Sequence, residues 1–328
     1  MCGEAYDCNI LVGRNYVPEH PFVSHILGWP LFYSGALLER RRLLAKSHQR
    51  KAYHYGPRGN RDHRRVGPAV NSIKVGDNVA IEPGLPCRRC KNCKDGFYSL
   101  YPDIKFTADP PDSHGALTKF FVPEGFVYKV PDDVSLQEAV LVEPVAVAVH
   151  AARLAETKYG QTVVVTRYGT FGLLCGVVAK AFGARRVILV DILQKKLDFA
   201  ESFMDYQTFL VDAQSASEDT ALAILKDLYV VLEASGARSS IQTGILLLKS
   251  GGSYVQVGLG KAKPEISMLS LPEKEVKVRG RFRYESGDRE LALLLITDGR
   301  VRVGARCQAS PLSSRQSWLG ISKQRGMA

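Results

Sequence analysis

Gln161-Thr-Val-Val-Val-Thr166, then Arg167-Tyr-Gly-Thr-Phe-Gly172, then Leu173 to Phe182 and Arg186-Val-Ile-Leu-Val-Asp191 form the stretch that decides the fold. The β-branched run Thr162 to Thr166 predicts a strand buried on both faces. Gly172 to Phe182 has the length and composition of a helix, and Arg186 to Val190 predicts a second strand that ends on Asp191. The alternation continues downstream. Gln194 to Phe203 predicts a helix, Phe209 to Val211 a strand, Ala216–Lys226 a helix, Tyr229 to Glu233 a strand, Ser239–Lys249 a helix and Ser253 to Gly258 a strand. Strand–helix alternation of this kind implies a parallel sheet wound in both directions, so the fold class is α/β.

The first strand–helix junction carries a glycine pattern. A turn that receives a dinucleotide pyrophosphate has Gly-x-Gly-x-x-Gly, with each glycine serving a different steric need. Gly169 and Gly172 stand at the second and third places, and Arg167 stands at the first. A residue other than glycine there is expected to adopt a conformation costing about 1–3 kcal/mol if strained. Asp191 ends the next strand 22 residues after Gly169. That spacing suits a carboxylate that hydrogen-bonds ribose hydroxyls and repels a 2′-phosphate, which points to NAD rather than NADP.

Upstream the pattern is different. Val75 to Glu82 predicts a turn and a short strand, and Ala116 to Val122 and Phe126 to Val130 predict further short strands, an all-β text. Within it, Cys87-Arg-Arg-Cys90-Lys-Asn-Cys93 places three thiols on one tight loop, which suits zinc, although a tetrahedral structural site takes four ligands.

The chain has 328 residues, 45% hydrophobic and 23% charged, a globular composition. Seven cysteines, odd in number and clustered, do not suit a disulfide framework and favour a reducing, cytoplasmic setting. No apolar run reaches membrane-span length and no secretory signal is visible. The net charge of +11 is concentrated in two segments. Glu39 to Arg65 has ten Lys/Arg against two acids, Arg300 to Ala328 has six against none, and the rest of the chain carries −3. Neither basic segment shows hydrophobic periodicity. The folded body therefore lacks the basic face of a nucleic-acid binder.

Five motifs follow one another in order. They are Ile81-Glu-Pro-Gly-Leu-Pro-Cys-Arg-Arg-Cys-Lys-Asn-Cys93, Val142-Glu-Pro-Val-Ala-Val-Ala-Val-His150, the glycine turn, Leu232-Glu-Ala-Ser-Gly-Ala237 and Gly280-Arg-Phe-Arg-Tyr284. Together, over about Val75 to Val301, they resemble the zinc-dependent medium-chain dehydrogenases. The likeness is strongest to the polyol branch, which holds sorbitol, arabinitol and xylitol dehydrogenases (D-xylulose reductases). The resemblance implies a Rossmann-type domain over residues 143–284, preceded by an incomplete GroES-like β domain over 1–142. Residues 285–328 would return towards the catalytic domain. It further implies NAD, catalytic and structural zinc, a small polyol or ketose substrate, a homotetramer, and no nucleic-acid or membrane partner.

The resemblance also assigns residues. Cys2 and Glu143 fall at catalytic-zinc positions, with Glu143 placed to relay a proton; Cys87, Cys90 and Cys93 fall at structural-zinc positions. Gly169, Phe171, Gly172, Asp191, Lys196, Val257, Gly258, Leu259, Phe282 and Arg283 fall along the cofactor. Arg283 and Tyr284 match residues that contact the polyol. Besides Arg167, further positions depart from the pattern: Glu4-Ala5 follows Cys2-Gly3 where the family has Ser-Asp. Trp29 and Pro30 stand where the family has a His-Glu pair, with His20 and His25 as nearby substitutes, and Tyr101 stands where the fourth structural cysteine belongs, with Asp95 and Asp103 nearby. Pattern is lost abruptly before Val75 and after Val301, as a shifted reading frame would produce. A catalytically inactive nucleotide-binding remnant is accordingly the alternative expectation.

Overall fold

A computed structural model describes residues 10–13, 64–66, 70–74, 77–82, 84–106, 121–139, 141–204, 206–224, 228–261, 263–266 and 268–301. Cys2, His20, His25, Trp29, Pro30 and Gly304 to Ala328 lie outside them, as does most of the basic Glu39–Arg65 segment. The chain divides into two units, Met1–Glu143 and Pro144–Ala328.

The first unit is built from short strands. β1 (Ile10–Gly13) lies between β2 (Arg64–Val66) and, later in the chain, β6 (Phe121–Pro123), antiparallel to both. β3 (Val79–Ile81) pairs antiparallel with β7 (Val127–Lys129), and β4 (Gly84–Leu85) with β5 (Lys105–Phe106). Between β4 and β5 lies a one-turn helix, α1 (Lys91–Lys94). The strand expected over Phe126 to Val130 is shorter, because Glu124–Phe126 forms a 3-10 turn. The Glu124 carboxylate holds that turn by accepting the Asn71 and Ser72 backbone N–H groups at 3.0 and 2.8 Å. After the short helix α2 (Leu136–Ala139), α3 (Val142–Leu154) begins at the unit boundary. Val145 to Val149 are fully buried, so α3 is an all-round core helix; its apolar text is long enough for that but too short for a membrane. Among the described residues no helix is long and apolar enough to cross one.

The second unit alternates strand and helix. In chain order it runs β8 (Thr162–Thr166), α4 (Thr170–Ala181), β9 (Arg186–Asp191), α5 (Gln194–Phe203), β10 (Gln207–Leu210), α6 (Ser217–Ile224), β11 (Leu228–Glu233), α7 (Arg238–Leu247), β12 (Leu248–Gln256), α8 (Ser270–Glu273), β13 (Lys277–Gly280) and α9 (Asp288–Thr297). All six strands are parallel, in the order β10-β9-β8-β11-β12-β13. Val163, Val164, Val165, Leu189, Val231, Leu232 and Val255 are at most 1% exposed, as a sheet covered on both faces requires. The chain leaves β8 in one direction through β9 and β10, then resumes on the other side of β8 with β11. The crevice at such a reversal, beyond the carboxyl ends of the strands, is where ligands bind in this architecture.

β12 differs from the sequence expectation. It starts at Leu248, directly after α7, rather than at Ser253. Lys274 Nζ makes this possible by donating to the carbonyls of Leu246 and Leu248, both at 2.9 Å, where the helix ends. Gly251 then takes φ +72° within the strand, and the pairing with β11 shifts register between Leu228 and Val230.

Candidate functional site

The turn after β8 keeps its shape although its first glycine is replaced. Arg167 has φ +66°, the left-handed conformation that a glycine would adopt freely. Its N–H donates to the Val190 carbonyl at 2.6 Å, and its Nη1 reaches the Ser235 carbonyl at 3.3 Å, across the reversal point between β8 and β11. Gly172 cannot be replaced without movement, because a Cβ there would lie 2.2 Å from the Arg167 carbonyl oxygen. Gly169 has nothing within 4 Å of a Cβ position. Its side is open above the N-terminus of α4, where backbone N–H groups and the helix dipole suit a phosphate. Phe171, half-buried, lies in the first turn of that helix, 6.0 Å beneath the Arg281 guanidinium.

Asp191 is 4% exposed at the end of β9. Its Oδ2 accepts the Tyr168 N–H at 2.7 Å and the Lys196 ammonium at 3.3 Å, and its Oδ1 accepts the Leu193 N–H at 3.0 Å. The carboxylate thus ties the glycine turn to the start of α5. A carboxylate offers about four acceptor positions, so capacity for a ribose hydroxyl remains. These residues fit a dinucleotide: an open glycine over a helix N-terminus and a held acid one strand away.

Glu233 is a site residue whose role the sequence did not reveal. It is fully buried at the end of β11. Its two oxygens accept from the Thr166 hydroxyl, the Ser235 and Gly236 N–H groups, the Ser240 hydroxyl and the Gln256 amide. One carboxylate therefore joins the ends of β8, β11 and β12. The signal in the sequence is an acid at a strand end followed by Ser-Gly, whose N–H groups fold back onto it. The loops after β11 and β12 also touch backbone to backbone. A Cβ on Gly260 would lie 1.8 Å from the Gly236 carbonyl, and one on Gly258 2.5 Å from the Ala234 carbonyl carbon. Val257 is buried beside this contact and Leu259 is 44% exposed.

After β13 the chain passes through Arg281, Phe282, Arg283 and Tyr284. Arg281 and Arg283 are each 7% exposed and Tyr284 1%, so these are not solvated surface groups, while Phe282 is 40% exposed. Arg283 holds φ +52°. The Arg281 Nη2 donates to the Val257 carbonyl at 3.0 Å, and the Arg289 guanidinium lies 4.9 Å over the Tyr284 ring.

In the first unit, Cys87, Cys90 and Cys93 form a cluster with all three Sγ atoms within 4.8 Å of one another. Cys93 Sγ lies 3.7 Å from Cys87 and 3.4 Å from Cys90. A tetrahedral zinc with Zn–S bonds of about 2.3 Å would set its sulfurs about 3.8 Å apart, so the three thiols fit one face of that ion. The backbone N–H groups of Arg89 and Cys90 bring the Cys87 thiol down to about 7, whereas burial takes Cys93 up to about 11. Tyr101, in the fourth place, hydrogen-bonds Asp103. Burial, then Asp103 and the nearby Cys87 and Cys90, push its hydroxyl above the ordinary tyrosine range. It remains a neutral phenol beside the thiols. Arg88, at φ +58°, stacks 4.2 Å over Phe126 and anchors the loop. Of the residues expected at the catalytic zinc, only Glu143 lies among those described, half-buried in the first turn of α3; Cys2 does not.

This fold matches known proteins. Residues 171–298 match the zinc-binding dehydrogenase family, and residues 64–132 the alcohol dehydrogenase GroES-like domain, which extends the resemblance from Val75 back to Arg64. The chain is 47% identical over 247 residues to a probable D-xylulose reductase A of Neosartorya fischeri, covering 73% of this chain and 68% of that one. It is 46% identical over 246 residues to the D-xylulose reductase A of Aspergillus niger, with the same coverage. Among solved structures, galactitol-1-phosphate dehydrogenase of Escherichia coli superposes with a TM-score of 0.65 at 28% identity, covering 72% of this chain and 71% of that one. L-idonate 5-dehydrogenase of the same organism gives 0.66 at 28%, covering 73% and 70%. The chain belongs to the zinc-dependent medium-chain dehydrogenases, in their polyol branch. The comparisons give no support to an inactive remnant.

Proposed function

We propose that this chain oxidises a polyol, in the manner of xylitol to D-xylulose, with NAD as the hydride acceptor. The observation that carries this is the sequence identity of 46–47% to D-xylulose reductases across both domains, joined to the Asp191-anchored glycine turn. Asp191 favours NAD. A 2′-phosphate would meet its negative charge, and the nearby Lys196 ammonium is already engaged by that carboxylate.

When bound, zinc supplies Lewis acidity towards the substrate hydroxyl and NAD accepts the hydride. The chain's own residues do the rest of the work in this reading. Gly169 and Gly172 leave the pyrophosphate room at the start of α4, with Phe171 alongside. Asp191 and Lys196 hold the ribose; Val257, Gly258, Leu259 and Phe282 line the nicotinamide end. Arg283 and Tyr284 hydrogen-bond hydroxyls neighbouring the reacting carbon and so select a polyol over a simple alcohol. Glu143 would be placed to relay the hydroxyl proton and, with Cys2, would supply ligands to a catalytic zinc. Cys87, Cys90 and Cys93 would supply three of the four ligands of a second, structural zinc. The domain limits 1–142, 143–284 and 285–328, assembly as a homotetramer, a cytoplasmic location and the absence of nucleic-acid and membrane partners are part of the same proposal.

The test is NAD reduction by xylitol in the purified full chain, with zinc counted in the same sample. Turnover with NAD in clear preference to NADP is expected. Asp191→Ala should weaken NAD by about 1.5–3 kcal/mol, roughly 10- to 100-fold in KM, as expected for lost hydrogen bonds to a charged group. A zinc-loaded chain that reduces neither cofactor with xylitol, sorbitol or arabinitol would overturn the reading.

A further inference from the structure

The strap from Arg281 to Gly287 is fixed at both ends, and its rear anchor is an ionic cluster with no role in the chemistry above. Asp288, fully buried, begins α9. Its Oδ2 accepts the Glu285 N–H at 2.7 Å and faces His150 Nδ1 at 2.9 Å, and its Oδ1 accepts Arg153 Nη1 at 2.6 Å. Arg153 also donates to the Ser286 carbonyl at 3.4 Å. His150 is 4% exposed. Both side-chain partners, His150 and Arg153, come from α3, and the Glu285 N–H belongs to the strap itself. The front anchor is Arg281, whose N–H donates to the Gln256 carbonyl at 3.0 Å and whose Nη2 reaches Val257. Between the anchors Arg283 is held at φ +52°, a conformation that costs an arginine free energy and persists only where its surroundings over-determine it.

We propose that His150 and Asp288 are positioning residues for polyol recognition. The His150 imidazole and the Asp288 carboxylate lock the Glu285–Asp288 turn onto α3, and that lock keeps Arg283 in its left-handed conformation facing the substrate. A desolvated carboxylate loses much when one of its donors is removed, because the remaining charge stays buried. The strap then gains freedom just where orientation matters. This inference rests on the reading of Arg283 as a polyol contact.

The experiment compares His150→Leu with His150→Asn, since the asparagine amide places a donor near the position of Nδ1 and leucine places none. For His150→Leu we expect the polyol kcat/KM to fall on the order of 10- to 100-fold, the scale of an ångström-level misplacement, with KM for NAD, which meets the strap at Phe282, raised by a clearly smaller factor. His150→Asn should recover most of the loss. Hydrogen exchange over residues 282–287 should quicken in His150→Leu and not in His150→Asn, with β8 and β9 unchanged in both. Equal losses for polyol and NAD, no rescue by asparagine, or unaltered exchange over the strap would each overturn the proposal. The exchange measurement needs no turnover. A wild-type chain that oxidises no polyol therefore removes the substrate reading alone, while the exchange pattern still decides whether His150 holds the strap.

Discussion

The turn after β8 and the three-cysteine loop each lack one residue of their family's pattern, and the two absences differ in kind. Arg167 replaces a glycine whose contribution is conformational. The backbone still takes φ +66°, the N–H still finds Val190, and the side chain gains a contact with Ser235. The replacement costs strain of about 1–3 kcal/mol and leaves the architecture intact. Tyr101 stands where the resemblance places a fourth cysteine, whose contribution would be a ligand atom. Backbone adjustment cannot turn a neutral phenol into a thiolate, so among the described residues the loop keeps the shape of a zinc site with three sulfurs and no fourth. A steric role degrades gradually, whereas a coordination role is lost in whole steps.

The comparison is broken most severely by removing the steric element that does survive. Gly172→Val drives a side chain into the Arg167 carbonyl, and about 3 kcal/mol of stability is expected to go, as for overpacking against backbone. Thermal unfolding and NADH fluorescence should fall together; unchanged stability would mean that the turn is not as tight as described. Next in size is Tyr101→Cys. A completed four-sulfur site should make the protein respond to zinc, with stabilisation of about 2.7 kcal/mol once zinc reaches one hundred times its Kd and a smaller gain in the wild type at the same concentration. Equal responses of the two chains would show that the fourth sulfur is dispensable. The smallest effect isolates the strain itself. Arg167→Gly and Arg167→Ala both lose the Ser235 contact, but only glycine relaxes the positive φ, so Arg167→Gly should be the more stable by about 1 kcal/mol in denaturant titration. Identical midpoints would place the left-handed conformation at no cost.

The parallel sheet was legible because its signals are local. Thr162 to Thr166 and Gln194 to Phe203 form the elements their patterns predict, with the same limits. The early start of β12 was not, because the Lys274 side chain that caps the end of α7 comes from 27 residues beyond Leu247. β13 and α9 were not predicted as elements. Four half-exposed residues on a sheet edge carry little periodicity, and α9 has its strongest ties in a buried aspartate. At the site, Gly169, Gly172 and Asp191 could be read from spacing. Glu233 could not, since what distinguishes it is five donors arriving from the ends of three strands and the first turn of α7.

By itself the sequence determined the order of strands and helices, the glycine and acid of the nucleotide turn, the cysteine spacing and, through several motifs in register, the family. These properties depend on neighbours a few residues apart, where chain geometry fixes what can meet. The tertiary structure decided which charges are buried. Arg283, plausible in sequence as a solvated basic residue, is 7% exposed, and His150 and Asp288, 138 residues apart, lie 2.9 Å from each other. A lone charge is indifferent to its sequence neighbours. Burial becomes tolerable only when the fold brings an opposite charge and a donor to it.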